Sequence, residues 1–330
     1  MNPTVSVALC TYNGERFVAE QMRSILNQSL PPTEIVVSDD GSSDATLRVI
    51  EREVAAAARR VAVRYLRGTA PLGVTRNFER AISATTGALV VLSDQDDVWH
   101  ADRVAVAVAD FAARPELLLW HGDARLVDES GRSLGFSLYD SLGARPEEIA
   151  RVNDGHALAQ YLRRNLVTGA TTVFRRELLE AAMPFPSGWV HDEWLGAIAA
   201  ATGEVYASSL RVIDYRQHSS NEIGAVRPTL AHKLRRMLEP RDGRYVGFAA
   251  RAEALVDRLH VVGAPAGVLE LVGRKRDFEV MRAGYPRARM ARLRPVLVGL
   301  RNGSYAELSS QGALDVVRDL VQPAGRVATE

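Results

Sequence analysis

Asp94, Asp96 and Asp97 stand within four residues of one another, directly after the aliphatic run Ala88-Leu89-Val90-Val91-Leu92. Such a run reads as a buried strand, so the carboxylates gather where that strand ends. Carboxylates held close together raise one another's pKa and repel. A hard divalent ion, Mn²⁺ or Mg²⁺, relieves that repulsion and keeps coordination positions open for phosphate oxygens. Asp-x-Asp here therefore points to a metal ion and a diphosphate. On a purely local reading, Asp94 caps a helix starting near Trp99 and its neighbours are solvated loop acids.

The elements upstream decide between these readings. Val5 to Leu9 predicts a first strand, Phe17 to Asn27 a helix stopped by Pro31-Pro32, Glu34 to Ser38 a second strand and Ala45 to Ala58 a second helix. Val61 to Leu66, Arg76 to Ala84 and Ala88 to Leu92 continue the alternation. Strands alternating with helices of this length predict an α/β fold with a mainly parallel central sheet and helices on both faces. Ligands in such sheets bind beyond the carboxyl ends of the strands. The polar clusters Thr11-Tyr12-Asn13, Asp39-Asp40-Gly41-Ser42 and Asp94-Gln95-Asp96-Asp97 all fall at those ends.

These motifs, with Asn77-Phe78, Thr168-Gly169-Ala170-Thr171, His191-Asp192-Glu193-Trp194-Leu195 and Tyr215-Arg216-Gln217-His218 in order behind them, make the chain resemble the family 2 glycosyltransferases. The resemblance is to the rhamnosyltransferase-like branch, and it covers about the first two thirds of the chain. It implies a GT-A nucleotide-diphospho-sugar transferase fold and an inverting, metal-dependent transfer of a sugar, rhamnose from dTDP-rhamnose. It also implies the site. Thr11, Tyr12, Asn13, Glu15, Asp40, Asp94 and Gln95 would bind the donor nucleotide, with Tyr12 against the base and Asp40 accepting from its imide nitrogen. Asp96 would be the metal ligand and His218 a further one, to Mn²⁺ or Mg²⁺. Asp192 would be the catalytic base, on the face opposite the leaving diphosphate. Asp97, Trp99, Gly169, His191, Trp194 and Arg216 would meet the acceptor or the sugar. The family often carries Glu-Asp where this chain has His191-Asp192, which leaves the role of His191 open.

Local structure offers competing duties. Asp39, Asp40 and Asp44 suit a turn or a cap before Ala45, and Asp192 and Glu193 suit the first turn of a helix over Leu195 to Ala201. Gly169 suits a bulge. Phe136 to Val152, with little periodicity, reads as a loop over the site.

At 330 residues the chain is expected to hold a GT-A domain over 1–225, divided into a nucleotide-sugar half (1–98) and an acceptor and catalytic half (99–225), plus a helical appendage over 226–330. The net charge of +1 gives no reason to expect nucleic acid. Charge is uneven, however: residues 227–301 hold 17 Lys or Arg against 7 Asp or Glu, in helical runs such as Leu230 to Leu238, Phe248 to Leu259 and Val268 to Arg282. The expected partners are a dTDP- or UDP-sugar, a glycan or lipid-linked acceptor, an anionic membrane surface for the basic helices and a second copy in a homodimer. A solvated basic face is the plain alternative. No apolar stretch is long enough to cross a bilayer, no leader opens the chain, and the single cysteine, Cys10, suits a reducing compartment. The expected location is the cytoplasm, peripheral on the inner membrane face. Two other functions fit less well: a silent nucleotide-sugar or glycan-binding subunit, and a sugar nucleotidyltransferase, for which Thr11 to Arg16 is a poor phosphate cradle. A dinucleotide oxidoreductase is disfavoured by the missing G-x-G-x-x-G.

Overall fold

The computed structural model describes residues 3–218, 241 and 243–323. They fall into two compact units, the first made of 3–155, 166–185 and 189–218, the second of 156–165, 186–188, 241 and 243–323. Residues 156–165 thus join the C-terminal helices, although sequence places them in the first domain.

The first unit is GT-A-like. Its sheet runs β3 (Ala62–Arg67), β2 (Glu34–Asp39), β1 (Val5–Thr11), β4 (Leu89–Ser93), β8 (Thr172–Arg175), β6 (Leu117–Val127), β9 (Glu204–Arg216) and β5 (Val98–Trp99), with β7 (Ser133–Ser137) on β6. β3, β2, β1 and β4 are parallel, as the alternation predicts. β8 is antiparallel to both β4 and β6, so the sheet is mixed. Every residue of β1 and β4 is buried, which explains their unbroken apolar runs. Helices α1 (Val18–Leu26), α2 (Thr46–Ala56), α3 (Val74–Ser83) and α4 (Arg103–Ala113) cover the faces with Met22, Ile25, Ile50, Phe78, Ala107 and Phe111 turned inward.

Chain order reverses at β1: β2 and β3 are added on one side of it and β4 on the other. A crevice opens at such a switch point, where adjacent crossovers diverge to opposite faces. Three loops end there.

Two stretches depart from the sequence reading. Residues 138–151 are not a loop but two short helices, α5 (Leu138–Leu142) and α6 (Pro146–Arg151). Their signals are local: Ser137 and Asp140 form a capping box, Gly143 closes α5 in a left-handed conformation, and Pro146 opens α6. Caps of this kind are invisible to periodicity. The second stretch is α9 (His191–Thr202), which begins four residues before the expected Leu195 and takes His191-Asp192-Glu193-Trp194 into its first turn. Between them lie α7 (Ala157–Arg163) and α8 (Leu178–Ala182).

The second unit is helical: α7 joins α10 (Arg244–Val261), α11 (Ala266–Ala283), α12 (Leu293–Arg301), α13 (Ser304–Leu308) and α14 (Ala313–Val321). Phe278, Tyr285, Val296, Tyr305 and Leu308 form a small core. Beside it, fully buried Asp319 receives hydrogen bonds from Arg241, Arg282 and Tyr305. The run expected over Leu230 to Leu238 lies outside the described residues.

Candidate active site

A cleft of about 470 Å³ opens at the switch point, lined by the ends of β1, β2 and β4 and by residues 168–170 and 190–192. Of the candidates, it gathers Thr11, Tyr12, Asp40, Asp94, Gln95, Asp96, Gly169, His191 and Asp192.

The β1 end is tied to the acidic loop by a side-chain clamp. The Gln95 Oε1 accepts from the Tyr12 backbone N–H at 2.8 Å, and Gln95 Nε2 donates to the Tyr12 carbonyl at 3.0 Å. Gly14 makes room: a methyl group there would lie 2.1 Å from Gln95 Oε1. The Tyr12 ring is left free of the clamp and 49% exposed, so its face is available to a ligand. Asn13 and Glu15 turn away from the cleft. Asn13, at φ 47°, accepts from the Ser43 N–H, and Glu15 accepts from the Ala45 N–H. Both therefore shape the 42–45 loop instead of lining the donor pocket, because the free N–H groups ahead of α2 need acceptors.

Asp39 and Asp40, adjacent in sequence, have separate duties. The Asp39 carboxylate accepts from Thr11 Oγ1, Ser42 Oγ, Ser42 N–H and Gly41 N–H, which saturates it and builds the turn. Asp40 lines the cleft. It accepts from the Leu72 and Gly73 N–H groups at 2.8–2.9 Å and keeps acceptor capacity for a ligand. Sequence missed the 71–74 segment that holds it: Pro71, Gly73 and Val74 all line the cleft, and Gly73 at φ 83° was its one local signal.

Asp94, Asp96 and Asp97 diverge as well. Asp94 and Asp96 face the cleft, while Asp97 is buried beneath them with Oδ1 accepting from the Arg216 N–H. Burial, then the charges of Asp96 and Asp94, push the Asp97 carboxyl well above the usual carboxylate range. Its Oδ2 is buried without a hydrogen-bond partner. Behind the cluster lies fully buried Arg103, whose pKa burial lowers to about 9 against the opposing pull of Asp97 and Asp94. It stacks 3.9 Å over the Trp99 ring. Trp99 is thereby a core residue, in a two-residue strand paired to β9, and not a ligand contact. Arg216 is a brace too: Nε donates to the Asp96 carbonyl, Nη1 to the Glu129 carbonyl and Nη2 to Glu20. That network spends its guanidinium below the acidic loop, so reach toward a diphosphate is lost.

His218 stands 2.8 Å, Nε2 to Oδ2, from Asp96 and stacks on Phe17 at 4.8 Å. It does not line the cleft itself. Among the described residues no three His, Cys, Asp or Glu side chains group to hold a metal alone. Carboxylate plus imidazole nevertheless suits Mn²⁺, and one or two protein donors completed by phosphate and water is how such ions bind nucleotides. Beside Asp94 and Asp96, the Asp97 Oδ2 is a buried acceptor that the chain itself leaves unfilled. The donor set fits a divalent ion.

Opposite, Asp192 is held by two backbone N–H groups, Gly169 to Oδ2 and Glu193 to Oδ1, both at 2.7 Å. These bonds fix the orientation of the Asp192 carboxyl at the first turn of α9. His191 packs flat on Phe78, ring centroids 4.0 Å apart, and burial lowers its pKa to about 3. Both of its ring nitrogens are buried without hydrogen bonds. It is a neutral wedge beside Asp192. Trp194 points into the core, its Nε1 donating to the Ala182 carbonyl, and forms no cleft wall. The wall is Phe78, Val190 and Tyr215. Tyr215 was part of a quoted motif but not a candidate; burial and the fields of Asp97, Asp94, Asp96 and Asp192 raise its pKa well above 10.0, so it stays a phenol.

Comparison with known proteins accords with this geometry. The model of glycosyl transferase family 2 matches residues 6–181, more than half of the chain, taking in β1, β2, β4 and the acidic loop. An uncharacterised protein of Mycobacterium bovis is 26% identical over 263 residues, 78% of this chain and 69% of that protein. A putative teichuronic acid biosynthesis glycosyltransferase of Bacillus subtilis is 33% identical over 102 residues, 31% of this chain and 39% of that one. Among solved structures, S. aureus TarS 1–349 in complex with UDP-GlcNAc superposes with a TM-score of 0.53 at 18% identity, covering 96% of this chain and 89% of that one. The mannosyltransferase PcManGT from Pyrobaculum calidifontis, in complex with GDP-Man and Mn²⁺, gives 0.52 at 20%, covering 97% and 86%. At such identities the likeness carries the fold alone. The family match carries more, because it runs through the strands whose ends form the cleft: the chain is a glycosyltransferase and belongs to glycosyl transferase family 2.

Proposed function

We propose that this chain is an inverting, divalent-metal-dependent transferase that moves rhamnose from dTDP-rhamnose to a cell-surface glycan or lipid-linked saccharide at the cytoplasmic face of a membrane. The observation that carries the reading is that Asp40, Asp96 and Asp192 line a single cleft. The fold neighbours support a nucleotide-sugar donor, since they are complexes with UDP-GlcNAc and with GDP-Man and Mn²⁺. The choice of rhamnose rests on the sequence resemblance.

In this reading Tyr12 stacks on the base and Asp40 accepts from its N3–H, a donor that uracil and thymine possess. Asp96 and His218 would hold the ion, which when bound stabilises negative charge on the departing diphosphate. Asp192 removes the proton of the acceptor hydroxyl as that oxygen forms its bond to the anomeric carbon. The bond from that carbon to the diphosphate breaks on the far side, and configuration inverts. Fixed by Gly169 and Glu193, Asp192 enters the step already oriented.

A screen of dTDP-, UDP- and GDP-sugars, with and without Mn²⁺, reads donor binding and hydrolysis. A metal-dependent response to dTDP-rhamnose is expected, and a response confined to another sugar nucleotide removes the rhamnose assignment. Asp192→Asn should bind donor normally and turn over about 10²-fold slower or worse. Near-normal turnover would reject Asp192 as the base.

A further inference from the structure

Helix α14 is amphipathic the wrong way round for a water-soluble surface. Its charged residues Asp315, Arg318 and Asp319 are the buried ones, at 1%, 9% and 0% exposure. They are held there by internal ion pairs: Arg318 with Asp315, and Asp319 with Arg282 and Arg241. Leu314, Val317 and Val321, spaced three and four apart on the opposite side, are 37–49% exposed. Surface helices normally show the reverse arrangement.

Its packing neighbour α12 repeats the pattern in milder form. Val296 and Gly299 face inward, while Leu293, Leu297 and Leu300 form an exposed stripe at 42–46%. At 100° per residue, Arg294 and Arg301 border that stripe on one side. Ahead of the helix come exposed Arg287 and Arg289 and, at 84% exposure, Met290. Between residues 285 and 301 there are five arginines and no acidic residue; Arg292 is buried, and the other four are exposed.

From this juxtaposition we infer that α12 and α14 dock the enzyme on an anionic phospholipid surface, with the apolar stripes entering the headgroup boundary and the arginines contacting phosphates. Apolar side chains bordered by basic ones, on helices too short and polar to span, are what interfacial binding requires. A second copy fits the charge less well: a two-fold contact through this face would set arginines against arginines. This inference is independent of the donor chemistry.

The test is flotation of the full chain with vesicles of phosphatidylcholine alone or with about one third phosphatidylglycerol, at low and high salt. Binding should need the anionic lipid and weaken in high salt. Arg294→Glu with Arg301→Glu, and separately Leu297→Ser with Leu300→Ser, should each weaken it about tenfold or more. All four residues are exposed, so melting temperature and binding of dTDP-rhamnose in solution should stay as in the wild type. Equal binding to both vesicle types, or unaltered binding by both variants, overturns the inference. So does a dimer that the leucine variant dissociates in a protein that ignores vesicles. Vesicle binding by a chain that binds no nucleotide sugar would reject the proposed function and leave the docking surface standing.

Discussion

At the residue scale, function depends on which carboxylates the backbone has already satisfied. Asp39 accepts three hydrogen bonds from its own turn and one from Thr11 of β1, and Asp40 keeps a side open to the cleft. Asp39→Ala should therefore lower stability by about 2–3 kcal/mol, since it strands buried donors, visible as an earlier denaturant midpoint. Asp40→Asn should keep the midpoint and weaken pyrimidine nucleotide binding about tenfold or more, because the acceptor loses its charge. If both variants behaved alike, the division of labour would be wrong. Gly169 works through its missing side chain: a methyl group would sit 2.8 Å from His191 Nε2 and 3.6 Å from Asp192 Oδ2. Gly169→Ala should displace the base, lowering kcat at least about tenfold while donor Kd is unchanged. An unaltered kcat would show that the backbone contact does not position Asp192.

At the element scale, the C-terminal helices combine apolar packing with a buried ionic network. Leu255, Leu259 and Val272 are buried as fully as Phe278, Tyr305 and Leu308, and Asp319 links Arg241, Arg282 and Tyr305 across α10, α11, α13 and α14 and the residues flanking them. Asp319→Asn takes the carboxylate partner from buried Arg241 and leaves Arg282 only its longer pairs with Glu279 and Asp315, so a loss of about 3–5 kcal/mol is expected. Helical signal from this unit should then melt ahead of the sheet, and a single unshifted transition would contradict the assignment. Inward-turned charge also explains why the apolar stripe of α14 faces outward: the helix has one face for the network and one for its surroundings.

For the whole molecule, buried neutral histidines couple folding to pH. Burial lowers His121 to about 3, as it does His191, while an unfolded histidine titrates near 6.5. Between those values the unfolded chain binds a proton that the folded chain refuses. Stability is thus fully present above pH 6.5 and falls as pH drops toward 3, by about 1.4 kcal/mol per pH unit for each histidine. His121→Gln should flatten the dependence of unfolding free energy on pH between 6 and 4 by about that slope for one group. A variant with the slope of the wild type would mean His121 is protonated inside the fold.

The local code was enough to place the β1, β2 and β4 strands to within a residue or two, their carboxyl ends, the three polar loops that meet there and the family. Each is legible because apolar runs, turn residues and caps act over a few neighbouring residues. Sequence could not tell Asp39 from Asp40, nor show that Trp99, Trp194 and Arg216 serve the interior. The duties of Asp40 and Arg216 depend on partners far off in the chain, Gly73 at 33 residues for Asp40 and Glu20 at 196 for Arg216. Asp96 and His218 meet across 122 residues for the same reason. Only the register of β9, fixed by its backbone pairing with β5 and β6, decides which of its residues look into the cleft and which look away.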